Sequence, residues 1–175
     1  MSDLNRRHLL ALPTAALLAG CGAPARLASW AQARDAVREL LLTPQTVDGN
    51  TWNLAQVLQH LAQSIEYSVR GFPSLKPAWF RHTLGAAAFA VFDARGAMNH
   101  ALDEPIPGAP ALDAQLALKT AVDRLAAAMD AFDAHTGTLH DHFAYGTLSK
   151  PQYQRAHLMH LANHWQQFHA QTATA

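Results

Sequence analysis

Histidines spaced along one predicted helix are the residues whose type and arrangement point to chemistry in this sequence. The chain has 175 residues and eleven histidines, and its last predicted helix carries His157, His160 and His164. At about 100° per residue, these three side chains fall within a sector of roughly 60°. Buried imidazole nitrogens need partners, and two imidazoles four residues apart on a helix can reach one metal ion. The spacing predicts a metal site at His160 and His164, with His157 as an alternative ligand or as a donor that orients a ligand.

Two more histidines are candidates for the same site. His60 lies on an earlier predicted helix, beside an apolar arc, and would supply a third ligand. A solitary histidine in such a position is more often hydrogen-bonded in the core or half-exposed than a metal ligand. His142 lies in an irregular segment before the last helix and is a candidate general acid or base if its loop folds over the site. An ordinary loop histidine is the alternative reading of that position.

Helical periodicity runs through the elements that must position these side chains. No window alternates with period two, so the predicted fold class is all-α. The last helix is opened by Ser149 and Gln152, which form a capping-box pattern, and Asn50 or Thr51 is the predicted cap of the second helix. Four principal helices with apolar stripes, plus one or two short ones, are typical of a four-helix bundle. The helices before the last are predicted over residues 27–42, 51–70, 79–94 and 111–132.

Composition and charge exclude several classes of protein. A chain of this length forms one domain, and 50% hydrophobic against 15% charged residues argues against disorder. Thirteen Lys and Arg balance thirteen Asp and Glu, so the sequence lacks the excess of positive charge that is typical of nucleic-acid binders. No nucleic-acid partner is therefore expected. One cysteine excludes an internal disulfide. The four tryptophans are expected in the core of the bundle: Trp30, Trp52, Trp79 and Trp165.

The first 21 residues have the order of an export signal. Arg6 and Arg7 precede a short apolar run that ends in Leu18-Ala19-Gly20-Cys21. The pair resembles a twin-arginine signal, and the four residues resemble a lipobox whose Cys21 is acylated. The run is too short to span a bilayer. We expect a signal peptide over 1–21, a tether over 22–28 and one helical domain over 29–170, with an N-terminal tail and an incidental cysteine as the alternative.

The location predicted from these features is the cell envelope. Acylation of Cys21 would tether the protein to a membrane without spanning it. Gly22 resembles the pattern that sends lipoproteins on to an outer membrane, so we expect the periplasmic side of that membrane.

Two stretches around the histidines resemble the signatures of a known family. Residues 52–62 resemble the first signature of the DinB-like superfamily, in a branch classed as domain of unknown function 1569. Residues 142–148 and 160–168 resemble the second, although Phe143 stands where a proline is expected. The resemblance covers about 27–169 and implies a four-helix bundle. It also implies one divalent metal ion held by three histidines, which here are His60, His160 and His164.

The resemblance also implies what such a site can do. Zinc or nickel suits a set of nitrogen ligands, and three imidazoles leave a coordination position open for chemistry. Related DinB-like proteins include thiol-dependent transferases and isomerases, so a metal-dependent hydrolase or transferase acting on a small molecule is the leading expectation. The alternative is a non-catalytic binding or structural module of the envelope whose histidine cluster is structural.

Overall fold

The computed structural model describes residues 27–43, 45–47 and 51–170. This part of the chain is mostly helical, and its helices are α1 (Trp30–Glu39), α2 (Leu54–Arg70), α3 (Ala78–Phe80), α4 (Ala86–Arg95), α5 (Leu118–Ala134) and α6 (Lys150–Trp165). A π-helical turn, Arg81–Gly85, joins α3 to α4. No helix of the described part is both long and apolar enough to cross a membrane. The predicted signal peptide and Cys21 lie outside the described residues.

A small two-stranded sheet, which the sequence did not predict, accompanies the helices. Strand β1 (Gln45–Val47) pairs antiparallel with β2 (Phe168–Ala170), and Val47 lies opposite Phe168. Three residues are too short a stretch for period-two alternation to stand out in a sequence. The pairing ties the segment after α1 to the segment after α6.

Helix α2 is the central element and carries His60. It packs against α5, α6 and β1, while α1 packs against α5 and α6. The apolar core includes Val57, Leu61 and Leu125, together with Leu27, where the predicted tether and the predicted first helix overlap. Trp30 and Trp165 are buried as expected. Trp79 is 63% exposed, so its assignment to the core was wrong.

The cap of α2 differs from the predicted one. Asn53 is the capping residue: its side chain accepts the Gln56 backbone N–H at 3.0 Å, and the Gln56 side chain accepts the Asn53 N–H at 3.0 Å. Asn53 has a glutamine three residues on and so forms a complete capping box, whereas Thr51 has Leu54 at that position. The cap of α6 is as expected, because the Ser149 N–H donates to Gln152 Oε1 at 2.9 Å.

Helix α5 starts at Leu118, so the prediction of a helix from residue 111 was wrong. The backbone before it bonds to side chains of α2 instead. Gln59 donates to the carbonyl of Asp113 at 2.8 Å and accepts its N–H at 3.0 Å. Asn53 and Gln63 donate to the carbonyls of Ala114 and Pro110. The backbone groups of these residues already have hydrogen-bond partners on α2, so extending α5 toward its N-terminus would not satisfy any further groups.

Candidate metal centre

Helices α2 and α6 bring three histidines to one point inside the protein. One ring nitrogen each from His60, His160 and His164 lies within 4.8 Å of the other two. The Nε2 atoms of His60 and His160 are 3.2 Å apart. The ring centroids of the three pairs are separated by 4.9 to 5.2 Å. His60 and His164 are buried and His160 is half-buried.

The arrangement of these nitrogens fits a divalent cation. Nitrogen ligands about 2.0–2.1 Å from a tetrahedral ion lie roughly 3.3 Å from one another, and the His60–His160 separation is 3.2 Å. Within the described residues, His164 Nε2 is buried and lacks a hydrogen-bond partner. A buried ring nitrogen left unpaired is costly, and coordination would satisfy it. The residues present therefore fit an ion held by nitrogen alone.

Burial keeps these imidazoles neutral, which is the form that binds metals. Removal from water, with a smaller contribution from the neighbouring imidazoles, lowers the pKa of His60 to about 4 and that of His164 to about 2. The pKa of His160 falls well below its usual value for the same reasons. At neutral pH the site offers lone pairs and does not repel a cation.

The outer nitrogen of His164 lies beside another polar group. The side-chain amide nitrogen of Gln167 is 3.3 Å from His164 Nδ1, and both side chains are buried. A 180° turn of the amide exchanges its nitrogen and oxygen. An amide oxygen turned toward Nδ1 would accept its proton and leave the Nε2 lone pair for an ion.

His100, which the sequence did not single out, also belongs to this neighbourhood. Its ring centroid is 4.9 Å from that of His160 and 5.5 Å from that of His164. Its Nδ1 lies 2.7 Å from the carbonyl of Ala101, so Nδ1–H donates there and the lone pair is on Nε2. His100 lies in the loop between α4 and α5, where no periodicity could mark it. The only sequence signal that could have marked His100 as a candidate is that it is one of the eleven histidines.

A pocket of about 200 Å³ opens onto the cluster. His60 and His160 form part of its wall, and Met98 and Ile106 supply apolar surface. The exposed side chains of Lys76 and Glu104 also line it. Its size suits a small molecule, and such concave sites with a few polar groups are typical of ligand-binding pockets.

His142 and His157 line the same pocket without being members of the cluster of three. His157 Nε2 lies 3.4 Å from Ser68 Oγ, and the His157 ring stacks on Tyr153 with centroids 5.4 Å apart. Burial lowers the pKa of both histidines to about 3. The role predicted for His157, as ligand or orienting donor, stays a prediction.

The chain belongs to the family described as "Protein of unknown function (DUF1569)", whose sequence pattern matches residues 26–171. The match includes all three clustered histidines, His100 and His142. No curated protein and no solved structure matches the chain.

Proposed function

We propose that this chain is a metal-binding protein of the DinB-like type. In this proposal α1, α2, α5 and α6 form a four-helix bundle, and His60, His160 and His164 hold one divalent ion. The observation that carries it is the convergence of three ring nitrogens within 4.8 Å, with His164 Nε2 buried and unpaired among the described residues. A donor set of neutral nitrogens favours zinc or nickel.

The activity that fits this site best is that of a metal-dependent hydrolase or transferase acting on a small molecule. A bound ion would act as a Lewis acid that polarises a carbonyl group or acidifies a water molecule. The chain itself supplies three neutral ligands and a pocket of about 200 Å³ beside them. Three protein ligands leave room for a substrate atom at the ion.

Metal content provides the test. Protein purified without a histidine tag is expected to contain about one zinc or nickel per chain by elemental analysis. The double variant His160→Ala/His164→Ala is expected to lose it, whereas His82→Ala, which alters an exposed histidine on the π-helical turn, keeps it. A wild-type protein that takes up neither metal from a chelator-buffered solution would contradict the proposal.

A non-catalytic module is the second candidate, favoured by one observation. A separation of 3.2 Å between His60 Nε2 and His160 Nε2 also fits a direct hydrogen bond, with one ring donating and the other accepting. In that case the cluster is structural. A metal-free protein, with the same melting temperature in the presence and absence of zinc, would favour this candidate.

We also propose that the protein is exported and anchored at the periplasmic side of an outer membrane through lipid on Cys21. The order of Arg6-Arg7, the apolar run and Cys21 supports this, and the family match starts beyond them, at residue 26. Expression in a Gram-negative host followed by fractionation and mass spectrometry of the mature N-terminus tests it. The wild type is expected in the membrane fraction with acylated Cys21. A Cys21→Ser variant found in the same fraction would contradict the anchor.

A further inference from the structure

A tight turn beside the pocket holds the His142 ring in one tautomer. The His142 N–H donates to the Gly146 carbonyl at 2.8 Å, and the Gly146 N–H donates back at 3.2 Å. Inside this turn, His142 Nδ1 accepts the backbone N–H groups of Ala144 at 3.1 Å and Tyr145 at 3.2 Å. Since both partners are donors, Nδ1 must carry a lone pair and the ring proton must be on Nε2.

The surroundings of the turn also fix the orientation of the ring. The His142 ring stacks on Tyr145 with centroids 4.2 Å apart and planes 7° from parallel. Asp141 accepts hydrogen bonds from Arg81 at 2.6 Å and from Thr147 at 2.7 Å, which closes the base of the turn. The Ala144 carbonyl oxygen lies against Gly85 of the π-helical turn, where a Cβ would collide with it. A ring held in this way cannot turn to find another partner.

The remaining nitrogen of His142 is available to a ligand. Among the described residues no group accepts a hydrogen bond from Nε2, although the side chain is only 8% exposed and lines the pocket shared with His60 and His160. Nε2 is accessible from the pocket, and an oxygen atom of a molecule bound there can accept its hydrogen bond. The low pKa of His142, about 3, favours a neutral donor over a group that exchanges protons at neutral pH.

We propose that His142 Nε2–H is a fixed hydrogen-bond donor for an oxygen atom of the molecule bound in this pocket, so that the ligands are small carboxylates or carbonyl compounds. The inference rests on the proposed metal site, because the same molecule would place another atom at the ion. The apolar walls formed by Met98 and Ile106 suit the carbon part of such a molecule. His142 is then a substrate-binding residue, distinct from the three metal ligands.

The first experiment needs neither a variant nor a metal. Long-range ¹H–¹⁵N correlation spectra of uniformly ¹⁵N-labelled, metal-free protein report the tautomer of each histidine. We expect His142 to show the Nε2–H tautomer throughout pH 5.5–8. A Nδ1–H tautomer, or an imidazolium at pH 6, would overturn the inference.

The second experiment separates the donor from the turn that holds it. In His142→Asn the amide oxygen lies near the position of Nδ1 and can accept the same two backbone N–H groups, but no atom reaches the position of Nε2. Wild type, His142→Asn and the exposed-site control His82→Asn are loaded with Co²⁺, and acetate and thiocyanate are titrated while the visible absorption of the cobalt is followed. Acetate has a second oxygen that can accept a hydrogen bond from His142, and thiocyanate has none.

The expected result is a selective loss. Acetate affinity should fall by about 10- to 100-fold in His142→Asn, the size expected for loss of one charge-assisted hydrogen bond, while thiocyanate affinity and the cobalt spectrum without added anion stay unchanged. Cobalt binding with equal acetate affinity in wild type and His142→Asn would overturn the inference and leave the metal site standing. Failure of the wild type to bind cobalt is seen before any anion is added, and would overturn the metal site as well.

Discussion

The three clustered histidines differ in what surrounds the rest of each ring. The Nδ1 of His164 lies next to the Gln167 amide, whereas the Nδ1 of His60 is buried without a hydrogen-bond partner in the described residues. Trp52 lies beside His60, with ring centroids 5.0 Å apart. A ligand that lacks a hydrogen bond to its outer nitrogen is less firmly oriented. His164 is therefore held more firmly than His60.

Loss of a clustered histidine should weaken zinc binding far more than loss of His100. His164→Ala removes a nitrogen of the close group, so we expect zinc affinity to fall by more than about 100-fold, beyond the effect of losing an outer partner. His100→Ala removes a ring that lies near the cluster but outside the group within 4.8 Å. Its loss should cost at most about tenfold. Competition with a chromophoric chelator measures both, and equal losses would show that His100 is a ligand.

Acid should destabilise the metal-free protein well before its carboxylates titrate. Burial lowers the pKa of His142 and His157 to about 3, from about 6.5 in an unfolded chain. Between these values the unfolded state binds protons that the folded state does not. Stability is therefore complete above pH 6.5 and is lost as the pH falls toward 3. We expect a slope of about 1.4 kcal/mol per pH unit for each such histidine, measured by urea unfolding between pH 7.5 and 5. A flat profile over that range would contradict the burial of these rings.

At the scale of elements, features set by neighbouring residues could be predicted from the sequence, whereas contacts between distant residues could not. Helices α2 and α6 were predictable because their apolar residues recur within a few positions of one another, and α6 also because its capping box was recognised. The meeting of His60 with His160 could not follow from spacing, since one hundred residues separate them. The helical pattern left His60 as one candidate for a third ligand, and the family resemblance singled it out. The start of α5 was missed because Gln59 bonds to Asp113, a contact that no local pattern records.

The loop before α5 should depend on Gln59. Gln59→Leu leaves both the N–H and the carbonyl of Asp113 without their partner, so we expect a loss of about 1–3 kcal/mol in the free energy of unfolding. Gln115→Leu changes an exposed glutamine of the same loop and should alter stability by less than about 0.5 kcal/mol. Chemical denaturation of the two variants beside wild type measures the difference. Similar values would mean that the Gln59 bonds contribute little.

At the scale of the whole molecule, the three clustered histidines connect two helices that also form the core. An ion held by α2 and α6 would bind the folded chain and not the unfolded one, because its ligands come from segments far apart in sequence. Ligands of this kind raise stability in proportion to the logarithm of their concentration. Metal binding would therefore also stabilise the folded state.

Zinc should raise the melting temperature of the wild-type protein. At a free zinc concentration 100 times the dissociation constant, stabilisation is about 2.7 kcal/mol, which corresponds to roughly 5–10 °C for a chain of this size. His160→Ala/His164→Ala should show no shift, and His82→Ala should behave as wild type. Differential scanning calorimetry in chelator-buffered zinc provides the measurement. A shift of the same size in the double variant would place the ion elsewhere.

If Cys21 is lipidated as proposed, the burial of Leu27 sets how far the domain can lie from the membrane. In a chain held by lipid on Cys21, only five residues, and so six Cα–Cα steps, would separate the anchor from a side chain packed in the core. Even fully extended, they reach about 21 Å, less than the length of a helix such as α2. The domain would stay close to the bilayer surface. Its substrates would have to reach it there, by diffusion along the membrane or through the layer of solvent next to it.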